Sequence, residues 1–85
     1  MNTHSTTLGD FLKNYRLAEE LTQDDLSKLL HVSKQRVSDI EKNRFTVSVK
    51  LCKRMARALD LPVEWLAKLA LQDMIDREGI DLKVG

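Results

Sequence analysis

An all-α fold, a compact bundle of five helices with a short C-terminal extension, is what this sequence predicts, on three observations. Breakers are scarce: Pro62 is the single proline, and Gly9, Gly79 and Gly85 are the only glycines in 85 residues. Apolar residues recur at three- and four-residue spacing along most of the chain, which is the period of an amphipathic helix. Side chains that cap helix N-termini (Thr7, Thr22, Ser33 and Ser48) stand just before successive periodic segments. The length fits one domain with a modest core, and 42% apolar against 32% charged residues is a globular balance.

Residues 1–7 are polar and rich in Ser and Thr, and are expected to form a loose tail. The first helix is predicted from about Leu8 to Glu20, with Leu8, Phe11, Leu12, Tyr15 and Ala18 on one face, Thr7 as its N-cap and Asp10 as the acidic capping partner. Thr22 caps a second helix, Gln23 to Leu30, with Asp25 at the capping-box position and Leu26, Leu29 and Leu30 as its apolar face. That helix stops near His31. Ser33 then caps a third, about Lys34 to Lys42, which buries only Val37 and Ile40. A short helix with two apolar anchors and an otherwise hydrophilic surface is built to show its outer face to a partner. Asn43 suits a left-handed C-cap that ends it.

Ser48 caps the fourth helix, which runs to about Asp60 with Leu51, Cys52, Met55, Ala56 and Leu59 inward and Lys50, Lys53, Arg54 and Arg57 on its other side. Pro62 is expected at the first position of the fifth helix, with Glu64 in its first turn and Trp65, Leu66, Leu69 and Ala70 as the inner stripe. The pattern continues through Met74 and Ile75 to Gly79, and a short tail follows. The organisation read from this is a tail at 1–7, a domain at 8–71, and a helical extension with a tail at 72–85.

The net charge of +1 conceals a pattern. Residues 1–32 carry three cations and five carboxylates, and residues 58–85 carry three and six. Between them, residues 33–57 carry eight cations against Asp39 and Glu41, a net +6. Such segregation favours a surface that faces a polyanion over a merely solvated helix face.

Several function classes find no support. Cys52 is the lone cysteine, so no intrachain disulfide is possible, and its apolar neighbours suggest a buried thiol in a reducing compartment. His4, His31 and Cys52 lack metal-ligand spacing, so no metal is expected, and no other cofactor. Capping and solvated-face roles account for the acidic pairs Asp24–Asp25 and Asp73–Asp76. Neither a phosphate loop nor a nucleophile–base pattern is present, and an enzyme is not expected. No secretory signal or membrane span is read, so the expected place is the cytoplasm. Phe45 is solitary and is expected to plug the core or an interface, because single-strand binders line several aromatics along a groove.

Two short capped helices joined by a three-residue turn form the arrangement in which a second helix projects into a DNA major groove. The residues resemble those of the lambda-repressor-like family, the phage Cro and repressor group also called XRE-type regulators, over about Leu8 to Ala70. Leu21-Thr22-Gln23, Val32-Ser33, Val37-Ser38 and Ile40-Glu41 are similar to the family's helix-turn-helix positions. The resemblance further implies an ion pair between Arg16 and Glu41. His31 stands where the family usually has glycine, Ser27 where alanine is usual, and Asn43 where glycine is frequent. A histidine with positive φ carries strain, although it tolerates that region better than most residues.

What the resemblance implies is a double-stranded-DNA-binding regulator with no catalytic residues. Lys34, Gln35, Ser38 and Asp39 would face the base edges, with Gln35 suited to adenine and Lys34 to guanine acceptors. Asp39 would accept from a cytosine amino group, reject unsuitable bases from the groove wall, or pair with Arg36 three residues earlier. Gln23, Ser33, Arg36, Lys42, Asn43, Arg44 and Thr46 would contact the DNA backbone. Val63, Leu71, Met74, Ile75, Ile80 and Leu82 exceed what one small core needs, and are expected to form a two-fold homodimer contact. The leading expectation is a repressor at a palindromic operator, phage-encoded or chromosomal. Alternatives are an antitoxin that also masks a toxin with its acidic C-terminal third, and a helical module that binds protein alone.

Overall fold

Hydroxyl side chains start four of the five helices. In a computed structural model, which describes residues 7–79, the helices are α1 (Leu8–Ala18), α2 (Gln23–Leu30), α3 (Lys34–Glu41), α4 (Val49–Leu59) and α5 (Val63–Arg77). Thr7, Thr22, Ser33 and Ser48 accept hydrogen bonds from the backbone N–H groups of Asp10, Asp25, Arg36 and Leu51. Each such cap contributes about 1 kcal/mol. The box is reciprocal at Thr22, whose own N–H donates to Asp25 Oδ2 at 2.9 Å. Hydrogen bonds from the Thr22 backbone and hydroxyl hold the Asp25 carboxyl below its usual range. Asp10 instead accepts from Asn43 Nδ2 at 3.4 Å.

Helix ends rest on four non-glycine residues in the left-handed region, Glu20 (φ 58°), His31 (φ 58°), Asn43 (φ 60°) and Asp60 (φ 58°). At Glu20 the turn comes earlier than the sequence suggests: α1 ends at Ala18 with Glu19 as C-cap, not at Glu20. Pro62 is the N-cap of α5, at ψ 126°, rather than its first helical residue. Its fixed φ of −64° suits either place, so sequence alone does not separate them.

Around the core, every helix contributes. Leu8 and Leu12, Leu26 and Leu30, Val37 and Ile40, Cys52 and Met55, and Leu66 and Ala70 are buried, joined by Val47 from the α3–α4 loop. Burying each such leucine is worth roughly 1.5–3 kcal/mol. Cys52 Sγ faces the Leu66 carbonyl at 3.9 Å, and burial pushes its thiol up. Three residues expected on inward faces lie further out. Leu29 is 43% exposed, because Leu26 and Leu30 already fill the inward side of so short a helix. Trp65 is also 43% exposed. Its ring meets Phe11 edge-on at 4.7 Å and covers the junction of α1 and α5, so it caps the core instead of filling it. Ala18, at the end of α1, is exposed as well.

Gly9 sets how closely α1 approaches the end of α3. A Cβ there would lie 2.1 Å from the Ile40 carbonyl oxygen and 2.6 Å from Asn43 Oδ1, so no other residue fits without moving backbone. At the same end of the molecule, the Leu8 N–H donates to Asp73 Oδ2 of α5 at 3.0 Å. Ile80 and Leu82, assigned to the dimer contact, lie outside the described residues, as does all of the expected tail except Thr7.

Candidate nucleic-acid interface

Helix α3 is held from behind and exposed in front. Val37 and Ile40 are its apolar anchors, and Glu41 is a buried charged one. Arg16 Nε donates to Glu41 Oε2 at 2.7 Å and Nη2 donates to Oε1 at 3.1 Å, a two-pronged pair tying α1 to α3. Arg16 Nη1 also donates to the Leu21 carbonyl at 3.0 Å, fixing the chain just before α2. The hydrogen bond to Glu41 raises the Arg16 guanidinium above its ordinary pKa. Gln23, at the start of α2, adds a third donor, with Nε2 3.1 Å from Glu41 Oε1. One carboxylate thus joins three helices, and Gln23 has its amide partly committed inward rather than wholly presented at the surface.

On the outer side of α3, Lys34 and Gln35 are exposed and Ser38 and Asp39 half-buried. Gln35 Nε2 donates to Asp39 Oδ1 at 3.0 Å. The pairing of Asp39 with Arg36 weighed from sequence is therefore not the one formed. Arg36 turns the other way, with its guanidinium carbon 3.7 Å from the centre of the Phe45 ring. Phe45 packs against the core and carries Arg36 over its ring, so the plug is also a stacking platform for a cation. Ser33 is committed to its cap.

The chain leaves α3 through Lys42, Asn43, Arg44 and Thr46, all exposed. Asn43 takes the left-handed turn, and the Arg44 N–H donates to the Asp39 carbonyl at 2.8 Å. Arg77, near the end of α5, reaches across to this segment: Nη2 donates to the Asn43 carbonyl at 3.0 Å and Nη1 donates to Thr46 Oγ1. Arg77 and Asp73 continue the Leu66–Ala70 stripe at helical spacing, so an inward charged pair was discoverable from periodicity, though its target was not. Arg54 is the other revision. It does not belong wholly to the basic outer face of α4, because its Nη1 lies 3.3 Å from both the Leu30 and His31 carbonyls and caps the C-terminus of α2.

This geometry presents one polar helix face flanked by exposed Lys34, Lys42 and Arg44, a surface able to enter a groove and neutralise phosphates beside it. Among the described residues there is no cluster of potential metal ligands, and no helix is long and apolar enough to cross a membrane. Of the residues assigned to a dimer contact, Leu71 and Met74 are exposed and Val63 and Ile75 half-buried.

Comparison with known proteins agrees with that architecture. A family described as helix-turn-helix matches residues 12–66. An uncharacterised helix-turn-helix-type transcriptional regulator of Methanocaldococcus jannaschii is 42% identical over 53 residues, covering 62% of this chain and 80% of that protein. The ImmF control region 10 kDa protein of Bacillus phage phi105 is 31% identical over 78 residues, covering 92% of this chain and 86% of its own. A hypothetical protein from E. coli with a crystal structure superposes with a TM-score of 0.81 at 25% identity, over 92% of this chain and 81% of that one. With its two capped helices α2 and α3 in the matched span, this chain belongs to the lambda-repressor-like family of helix-turn-helix DNA-binding transcriptional regulators.

Proposed function

We propose that the chain is a repressor that binds a palindromic operator as a homodimer, in the cytoplasm of a bacterium or of a phage-infected cell. The observation that carries this reading is the outer face of α3, where Lys34, Gln35, Ser38 and Asp39 stand free of the core beside exposed Lys42 and Arg44. The likeness to a phage control-region protein supports a regulatory role of this kind. In this reading those four α3 residues face the base edges. Gln23, Ser33, Arg36, Lys42, Asn43, Arg44 and Thr46 face the backbone, with Arg36 delivered from the Phe45 ring.

Selection of bound sites from a random DNA pool, followed by gel shifts on the selected site, tests it. Gln35→Ala is expected to cost about 1–3 kcal/mol on the selected site and to relax preference at one base position. Lys42→Ala or Arg44→Ala should weaken binding to all sequences alike and flatten its salt dependence. A protein that retards no fragment specifically at about 150 mM salt is not such a repressor.

A further inference from the structure

We propose that Asp39 is a positioning residue that locks the Gln35 amide in the one orientation that reads adenine and rejects guanine. The proposal rests on the reading that α3 enters the major groove. Its own basis is the hydrogen bond from Gln35 Nε2 to Asp39 Oδ1 at 3.0 Å, between residues one helical turn apart on the outward face. Arg36, three residues before Asp39, is stacked on Phe45, and no ion pair engages Asp39 among the described residues, with Lys42, three residues after, included. The carboxylate is left for the glutamine.

An ionised carboxylate only accepts hydrogen bonds, so the atom of Gln35 turned toward it must be the amide nitrogen. One of the two N–H groups is consumed there. The amide is left with one N–H donor and the Oε1 acceptor. Adenine offers in the major groove one acceptor, N7, and one donor, the N6 amino group, which complements that pair. Guanine offers two acceptors, N7 and O6. Against guanine, Oε1 would face O6, oxygen to oxygen. Relief would require the amide to turn both N–H groups to the base, which forfeits the bond to Asp39 and leaves a carboxylate near two guanine acceptors. A glutamine without Asp39 has no such restraint and accommodates either purine. The acidic residue in a basic groove is thereby explained as an orienting acceptor for Gln35.

Base preferences selected from a random DNA pool by wild type, Gln35→Ala, Asp39→Ala, Asp39→Leu and Asp39→Asn test this. The position whose preference Gln35→Ala removes is the one Gln35 reads. There, wild type is expected to favour adenine over guanine by about tenfold or more. In Asp39→Ala the ratio should collapse to about threefold or less, since the amide is free to turn. Asp39→Leu keeps bulk without an acceptor, and should match Asp39→Ala. Asp39→Asn removes the charge and can turn either its oxygen or its N–H to Gln35, so it should give an adenine-to-guanine ratio between those of wild type and Asp39→Ala while binding all DNA more tightly. A residue acting only through its negative charge would make the Asn and Ala variants alike. If wild type binds specifically and Asp39→Ala or Asp39→Leu keeps its adenine preference, if wild type prefers any base other than adenine there, or if Gln35→Ala removes no preference, Asp39 does not orient Gln35 to read adenine. If wild type selects no sequence, groove entry fails and this inference with it.

Discussion

Glu41 is the residue on which most of the arrangement depends, since a carboxylate with 3% of its side chain exposed survives only if its charge is met. Arg16 meets it from two nitrogens and Gln23 from a third. Removing one partner strands the other, so the single substitution is worse than replacing both. Arg16→Met is expected to destabilise the fold by about 3 kcal/mol, whereas the double variant Arg16→Met/Glu41→Leu should recover most of that loss. Urea unfolding of the two variants measures the difference, and equal losses would mean that the pair stabilises by attraction rather than by mutual neutralisation. This ion pair was readable in the sequence because the resemblance implied it. The bond from Gln23 and the stacking of Arg36 on Phe45 were not, because each depends on which rotamer the packed neighbours leave open. For Asp39 the sequence offered a partner three residues back, and the structure supplies one four residues back. Both spacings are neighbours on a helix, so chemistry and spacing alone could not choose.

At the scale of elements, the first four helix starts were legible because a cap is a local event: one hydroxyl, three residues from the N–H that it satisfies. Helix ends were less so. Glu20 adopts a left-handed turn that its residue type does not announce, whereas Asp60 is of a type that tolerates one, and α1 ends two residues before the end that the sequence suggests. The targets of Asp73 and Arg77 were hidden for a different reason: helical spacing puts both on the stripe of Leu66 and Ala70, but only the fold brings Leu8, Asn43 and Thr46 to them. Asp73 carries a consequence that can be measured. Its bond from the Leu8 N–H, at the positive end of α1, favours the carboxylate, yet burial outweighs that and pushes its pKa up. A carboxyl whose folded pKa is raised binds its proton more tightly in the folded state, so its stabilising contribution is complete below the usual carboxylate range and is lost as pH rises through the folded value. Asp73→Asn keeps an oxygen to accept from Leu8 and removes the charge. At pH 7 the variant is expected to melt at or above the wild-type temperature, with an advantage that vanishes as pH falls through the usual carboxylate range. Melting curves across pH decide it, and an advantage that grew on acidification would reverse the sign argued here.

Over the whole molecule, charge is segregated along the chain and one apolar cluster stands exposed on α5. The +6 segment from residue 33 to 57 includes α3, its exit loop and α4, while the flanking segments are acidic, so a nearly neutral chain can still turn a cationic side to DNA. On α5, Leu71 and Met74, 44% and 40% exposed, lie three residues apart and Ile75 follows half-buried on the same side, whereas exposed Leu17, Leu29 and Val49 stand singly on α1, α2 and α4. The inward side of that helix is already occupied by Leu66 and Ala70 in the core, with Asp73 bonded to α1 and Arg77 to the exit loop. A second copy packed on Leu71, Met74 and Ile75 would therefore press on the helix that also steadies Asn43 and Thr46. Two-fold pairing would present two α3 helices to half-sites about one DNA turn apart. Leu71→Lys/Met74→Lys should leave the monomer folded, since both side chains are exposed, and should abolish a dimer seen by light scattering at micromolar concentration. On a selected palindromic site the same variant should lose about tenfold or more in affinity, because the second half-site then binds as a separate molecule. On isolated half-sites its affinity should match wild type. A wild-type protein that stays monomeric both free and on the palindrome would remove α5 from any role in pairing and leave its exposed leucine and methionine as ordinary surface.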